Sequence, residues 1–299
     1  MFLCKVCIVK DLRQITVIGL GLLGGSITLA VQRCFSGVKA VGYTHRPSTR
    51  RRARQLAVAT EVSDDLSGSI AKADIVVVAT PIFTFEKIFG VIEASARRGC
   101  IVTDVGSTKV LPHRWAREQF GRGVHYVGSH PIAGSEQRGV EYARDDLLAG
   151  AKCIITATKS TNADAKARLS EFWSELGCSV DMMTPDEHDR IFSNLSHLPH
   201  MTAAALINAC DTEQMKLAGQ GFMDTSRVAS GPANIWSDIV LANSGNVAVS
   251  IDRLVRELLK LRKAIKAEDQ KQVMALLESA RNKRNELIKY KMRKKELES

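Results

Sequence analysis

The chain has 299 residues, 45% hydrophobic and 25% charged, with a formal net charge of +10. That length buries one large or two ordinary cores, and no apolar stretch approaches the ~20 residues of a membrane helix. The positive excess falls in two clusters: Arg46, Arg50, Arg51, Arg52 and Arg54, and a tail from Arg281 to Ser299 with eight basic residues against three acids. The apolar run from Met1 to Val9 is short and broken by Lys5, and no small-residue cleavage site follows, so no signal peptide is read. The first strand signal is Ile15-Thr-Val-Ile18, followed by Gly19, Gly21 and Gly24 in G-x-G-x-x-G spacing and an apolar helical stretch. The first glycine permits a tight turn, the second lets a pyrophosphate approach the backbone, and the third lets helix and strand pack closely. The phosphates then rest on the helix N-terminus at Leu22 and Leu23, where unpaired N–H groups favour anions.

Strands are predicted at 15–19, 38–43, 75–79, 101–104 and 125–128, alternating with helices at 23–33, 48–56, 83–96 and 111–119. This alternation predicts an α/β fold, a Rossmann-type doubly wound parallel sheet. Residues 153–156, a helix at 163–176 and a strand at 179–182 read as an extension of the same sheet. At Thr184-Pro185-Asp186-Glu187 the character changes: an N-cap, a proline at the first helical position and an acid at N3 announce a helix. Helical periodicity then covers 187–208, 214–217, 235–243, 247–267 and 269–295. The expected organisation is a dinucleotide-binding domain over 1–183 and an all-helical substrate and dimerisation domain over 184–299, with a cleft between them. Ile251, Leu254, Val255, Leu258, Leu261 and Ile265 form an apolar stripe that its own domain cannot bury, which predicts a homodimer.

The cysteines Cys4, Cys7, Cys34, Cys100, Cys153, Cys178 and Cys210 are scattered. Cys4 and Cys7 form a lone CxxC with no partner pair, which reads as reduced thiols in a cytoplasmic protein rather than a zinc or redox site. His45, His113, His125 and His188 show no ligand spacing, so no metal is expected.

Chemistry-bearing residues cluster after strand ends, where ligands of open α/β sheets bind. Ala79-Thr80-Pro81 ends one strand, and Asp104-Val-Gly-Ser107-Thr-Lys109 follows the next. Gly128-Ser-His130-Pro-Ile-Ala-Gly134-Ser135-Glu136 follows a third. Ser196-His197-Leu-Pro-His200 interrupts a helix, and Arg227 and Trp236 flank a glycine-containing loop. A neutral histidine suits the acceptance of a proton from a carbinol, and His130 is the expected base. Ser107 is placed to hydrogen-bond the substrate hydroxyl, the imidazole or the nicotinamide amide, or to cap a helix. Ser196 and His200, four apart on one helix, share a face. His197 reads as a core histidine, and Trp236 as a pocket wall or core.

The stretches GLGLLGGS, ADIVVVATP, DVGSTK, GSHPIAGSEQRGVEYA, PDEHD, SHLPH and the Arg227–Trp236 segment resemble the prephenate/arogenate dehydrogenase family over residues 15 to 240. The resemblance implies a nicotinamide-dependent oxidative decarboxylation of a cyclohexadienyl substrate in tyrosine biosynthesis. His130 would be the base and Arg227 the clamp on the ring carboxylate. Ser107, Ser135, Glu136, Ser196, His200 and Trp236 would stand around the substrate, with Thr80, Pro81 and Ser107 at the cofactor. No chorismate mutase segment is read ahead of Ile15 and no ACT domain after the helices, so a monofunctional enzyme is expected. The chain departs from the family pattern at the second strand. Thr44-His45-Arg46 replaces the usual acid that holds the ribose 2′-hydroxyl, which predicts NADP over NAD, with Arg50 as the nearest helper.

Prephenate is the expected substrate and arogenate the alternative. Other two-domain Rossmann dehydrogenases, of the β-hydroxyacid dehydrogenase or imine reductase type, typically place lysine or aspartate where this chain has Ser196 to His200. A dinucleotide sensor has no need of the His130–Ser107–Arg227 set. Binding to nucleic acid is not expected either, because Tyr290 is the basic tail's one aromatic.

Overall fold

The computed structural model describes residues 12–121, 123–134 and 137–293. Cys4, Cys7, Ser135, Glu136 and the last six residues of the basic tail lie outside them.

Six parallel strands form the first sheet: β1 (Gln14–Ile18), β2 (Lys39–Tyr43), β3 (Glu61–Ser63), β4 (Ile75–Val78), β5 (Cys100–Asp104) and β6 (Val124–Tyr126). Their order is β3-β2-β1-β4-β5-β6, the doubly wound Rossmann arrangement, with its switch point between β1 and β4. The helices between them are α1 (Leu22–Cys34), α2 (Pro47–Gln55), α3 (Leu66–Ala71), α4 (Phe85–Ser95) and α5 (Val110–Gln119). Strand residues alternate between two buried faces. Ile15, Val17, Ile75 and Val77 join Ile27, Val31, Leu169 and Trp173 in one core, whereas Ile18, Val76 and Val78 join Ile70, Phe89 and Trp115 in another. Both faces are covered, so these strands read as continuous apolar runs.

Three strands form a second sheet, β7 (Gly128–Ile132), β8 (Lys152–Thr156) and β9 (Ser179–Met183), with α6 (Ala163–Glu175) between the last two. This corrects the single extended sheet expected from sequence. β7 runs antiparallel to β8, and the two sheets share no strand pairing. It also corrects the placement of His130, which lies inside a strand rather than after one. Pro131 has no N–H for a ladder, and β7 is an edge strand of its sheet. Hydroxyls join the sheets, Thr103 Oγ1 to Ser129 Oγ at 2.8 Å, with Trp173 Nε1 donating to the same Ser129 oxygen at 2.8 Å.

The capping box expected at Thr184 opens α7 (Pro185–Phe192). A π-turn over Ser193–His197 follows, then α8 (Leu198–Asn208). Pro199 has no N–H to return to the preceding turn, and the ladder widens there, as π-turns at functional sites often do. The remaining helices are α9 (Thr212–Met215), α10 (Gln220–Ser226), α11 (Ala233–Ala242), α12 (Ser244–Lys266) and α13 (Gln270–Arg293). One compact unit ends at Asn246 and a second begins at Val247. In the second unit, Val249, Val255, Leu258, Leu259 and Ile265 of α12 and Met274, Leu277 and Leu287 of α13 are exposed. No helix among the described residues is long and apolar enough to cross a membrane.

Candidate active site

Strand register builds one edge. Ile18 pairs with Tyr43 and with Val78, and Val78 pairs with Asp104, so the next residues, Gly19, Thr44, Ala79 and Val105, line the carboxyl ends. Gly19 turns the chain at φ 105°, and a Cβ there would stand 2.5 Å from the Ala79 carbonyl oxygen. A Cβ on Gly24 would overlap the Gly19 carbonyl, whereas one on Gly21 would meet nothing within 4 Å. The space over Gly21 adjoins the first turn of α1, whose N–H groups at Leu22 and Leu23 have no intrahelical partner and whose N-cap offers no side chain. These residues fit a pyrophosphate. At the end of β4, Thr80 Oγ1 meets Thr84 Oγ1 at 2.7 Å, and Pro81 begins a short 3₁₀ turn.

At the end of β2, Thr44 is buried while His45 and Arg46 are exposed, Arg46 being the N-cap of α2. The first turn of α2 holds no acid. Arg50 differs from expectation: its guanidinium donates to the Thr44 and His45 carbonyls, both at 3.0 Å, and lies 3.7 Å from Asp64. It braces the loop, and it places a carboxylate from the end of β3 close to the cluster.

His130 sits mid-strand in β7 with its Nδ1 2.8 Å from His188 Nε2, and His188 Nδ1 lies 2.8 Å from Asp189 Oδ1. Main-chain N–H groups of Lys109 and Val110 donate to the two Asp189 oxygens at 2.7 and 2.9 Å. Asn243 Nδ2 donates to the Asp189 carbonyl at 2.7 Å and lies 3.3 Å from His197 Nδ1. Phe192 stacks on His188 at 4.4 Å between ring centroids and lies 5.0 Å from His130. Burial, then the neighbouring His188, Lys109 and His197, hold the His130 pKa well below the ordinary histidine value. Burial likewise lowers His188 to about 2. Behind this chain Lys109, fully buried, donates to the buried Asp104 carboxylate and to the Ser129 carbonyl. Asp104 also accepts from Tyr126 Oη at 2.6 Å and the Gly106 N–H at 2.7 Å.

Ser107 lies half-buried in the loop between β5 and α5; burial lowers the pKa of the nearby His197, opposed by Asp189 and then by the Ser107 main chain. It does not cap the helix, whose N-cap is Lys109. His200 is buried and stacked on the half-buried Trp236, 3.6 Å between centroids and 10° between planes. Ser196 is half-buried in the π-turn. Arg227 is exposed at the start of a 3₁₀ turn that packs on α8, while Asp224, its sequence neighbour, accepts from Gln220 at 2.7 Å. Ser135 and Glu136 fall outside the described residues. His188, Asp189, Lys109, Tyr126 and Asn243 had no predicted role. The first four lie inside or beside the DVGSTK, GSHPIAG and PDEHD stretches, and Asn243 carries no such signal.

A doubly wound sheet, a glycine turn fitted to a pyrophosphate and a buried histidine chain define a Rossmann-type oxidoreductase. Residues 27–182 match the prephenate dehydrogenase nucleotide-binding domain, and residues 184–279 match the prephenate dehydrogenase dimerization domain. The chain belongs to the prephenate dehydrogenase family. It is 30% identical to the cyclohexadienyl dehydrogenase of Zymomonas mobilis over 86% of this chain and 90% of that one. Its fold matches Aquifex aeolicus prephenate dehydrogenase, solved with hydroxyphenyl propionate and NAD+, at a TM-score of 0.86 and 31% identity, covering 93% and 99% of the two chains. Synechocystis arogenate dehydrogenase matches at 0.80 and 29%, covering 92% and 100%.

Proposed function

We propose that this dehydrogenase oxidises and decarboxylates prephenate to 4-hydroxyphenylpyruvate in the cytoplasm, with NADP as cofactor. The observation that carries the reading is His130, a histidine kept neutral by its surroundings and held by a hydrogen-bond chain within a family of cyclohexadienyl oxidoreductases. The nicotinamide, when bound, accepts the hydride from the ring carbinol. His130 takes the hydroxyl proton at Nε2, and Ser107 holds the hydroxyl. Arg227 pairs with the ring carboxylate, which departs as carbon dioxide as the ring becomes aromatic. His200, Ser196, Ser135, Glu136 and Trp236 enclose the substrate. Arogenate is the second reading, supported by the likeness to the Synechocystis enzyme. The test is purified protein with each substrate and each cofactor, following absorbance of the reduced nicotinamide. No turnover of either substrate would remove the reading.

The homodimer is part of the same proposal. The exposed apolar residues of α12 and of α13 as far as Leu277, within the match to a domain named for dimerization, are the surface a second copy would cover.

Arg227→Ala is expected to raise the substrate KM by roughly 10- to 150-fold, equivalent to ~1.5–3 kcal/mol for a charge-assisted hydrogen bond, with the cofactor KM nearly unchanged. Steady-state kinetics check this, and two unmoved constants would take Arg227 out of the site.

For the cofactor, Thr44 and Arg46 at the end of β2 support a 2′-phosphate, and Asp64, 3.7 Å from Arg50, is an opposing charge. Thr44→Asp combined with Arg46→Ser is expected to shift the NADP to NAD ratio of kcat/KM toward NAD by about tenfold or more, ~1.4 kcal/mol. Salt should erode the wild-type preference, because the site is exposed. Equal kcat/KM for both cofactors in the wild type at low ionic strength contradicts this reading.

A further inference from the structure

The chain Asp189–His188–His130 admits one proton assignment. Each Asp189 oxygen accepts a main-chain N–H, from Lys109 at 2.7 Å and from Val110 at 2.9 Å, and neither donor can reverse its role. Burial pushes the Asp189 carboxyl upward. The net direction stays upward, limited by the two N–H groups and the neighbouring Lys109 and His197, and it is the two accepted main-chain N–H bonds that mark both oxygens as acceptors. A carboxylate only accepts, so His188 Nδ1, 2.8 Å away, donates. The buried His188 ring is neutral, which leaves its Nε2 as a lone pair. That lone pair faces His130 Nδ1 at 2.8 Å, so His130 Nδ1 is the donor. His130 therefore carries its proton on Nδ1 and keeps Nε2 bare. A histidine in water favours the opposite tautomer, with the proton on Nε2, so the protein holds the less favoured form.

We propose that His188 and Asp189 are positioning residues that lock His130 in the Nδ1-protonated tautomer and so make Nε2 the proton-accepting atom. The proposal rests on the reading of His130 as the base. The surrounding groups suit the task. Phe192 packs on both rings. Asn243 ties the Asp189 main chain to the end of α11. The charged and titratable groups facing His130 are His188, Lys109 and His197, and the Asp189 carboxylate reaches it through His188. When Nε2 gains the proton, the resulting imidazolium keeps its Nδ1–H bond to His188. That ring points its other N–H at the carboxylate, so the positive charge lies at one end of a chain that ends in a negative one.

The test is Asp189→Asn. Asparagine leaves a single oxygen for the two main-chain N–H groups; with its amide turned to His188 Nδ1 it donates there, which moves the His188 proton to Nε2 and, in turn, the His130 proton to Nε2. The ¹⁵N spectrum of the histidine rings reads this directly, with His130 assigned by its absence from His130→Asn. The wild type is expected to show His130 protonated on Nδ1, and Asp189→Asn to show it protonated on Nε2. Turnover should fall roughly 10²–10⁴-fold, the scale known for wrong-tautomer variants of hydrogen-bonded histidine bases, while cofactor affinity stays within about threefold. His188→Gln keeps an acceptor for the His130 Nδ1–H and should retain at least about tenfold more turnover than His188→Leu, which removes it. A wild-type His130 protonated on Nε2 overturns the proposal, as do an Asp189→Asn variant whose His130 proton has moved to Nε2 at unchanged turnover, and His188→Gln and His188→Leu variants of equal turnover. Should Asp189→Asn fail to fold, the wild-type spectrum and the two His188 variants decide alone. A wild type with the Nδ1 proton that oxidises neither prephenate nor arogenate supports the lock and removes the proposed function.

Discussion

Replacing His130 with asparagine is expected to lower kcat by roughly 10²–10⁴-fold, the contribution of a well-placed general base and equivalent to ~3–5 kcal/mol of barrier. Asparagine is the informative choice, because its amide N–H takes the place of the Nδ1–H and can still donate to His188 Nε2, so the packing around Phe192 is preserved and only the acceptor is lost. Substrate and cofactor binding should change much less than turnover. The pH profile of the wild type is part of the same expectation. The base works only when neutral, and burial together with His188, Lys109 and His197 depresses its pKa. Activity should therefore stay on its plateau as pH falls through 6.5, the ordinary value, and decline only well below it. The measurement is kcat/KM against pH, which reports the free enzyme. An acidic limb at or above 6.5, or near-wild-type turnover of His130→Asn, would exclude His130 as the base.

The parts of this protein that were legible in its sequence are those where a single residue type has a local reason. Gly19, Gly21 and Gly24 each answer a separate demand of turn, approach and packing, and their geometry agrees residue by residue. The Thr184 capping box is equally local. The second sheet was not legible, because a short apolar run carries no mark of its pairing partner. β6 and β7 are separated by Val127 alone, and only three-dimensional pairing reveals that the chain leaves one sheet for another there. β3, α3 and α10 are too short to show a period. At the site, His130 was visible from its neighbourhood in sequence, whereas its partner His188 is 58 residues away and lacked any ligand spacing. The same distance problem hid Asp64, which is far from Arg50 in sequence but 3.7 Å from it in space. A charge count along the chain makes the arginine cluster look unopposed when the fold supplies an acid.

Lys109 is where burial makes the strongest demand on a charge in this fold. Its side chain and that of Asp104 are both fully buried and paired. The ammonium also donates to the Ser129 carbonyl at 2.7 Å, one residue before His130, and Tyr126 Oη and the Gly106 N–H satisfy the rest of the carboxylate. The pair thus joins β5 to β7 from inside, and its positive end contributes to keeping the His130 ring unprotonated. Lys109→Met preserves much of the side-chain volume and removes the charge, which leaves the buried Asp104 side chain without its cation. Breaking a buried pair from one side costs about 3–5 kcal/mol, far more than the pair contributes over an apolar substitute. The expected result is a loss of unfolding free energy of that order in urea titrations. Lys109→Met combined with Asp104→Asn should recover much of it, because no uncompensated charge remains, the asparagine oxygen still accepts from the Gly106 N–H, and its amide can donate to Tyr126 Oη, a hydroxyl that also accepts. A single variant less than ~1 kcal/mol below the wild type, on the scale of an exposed ion pair, would mean that water reaches Asp104 and that the pair does not hold β7 in place.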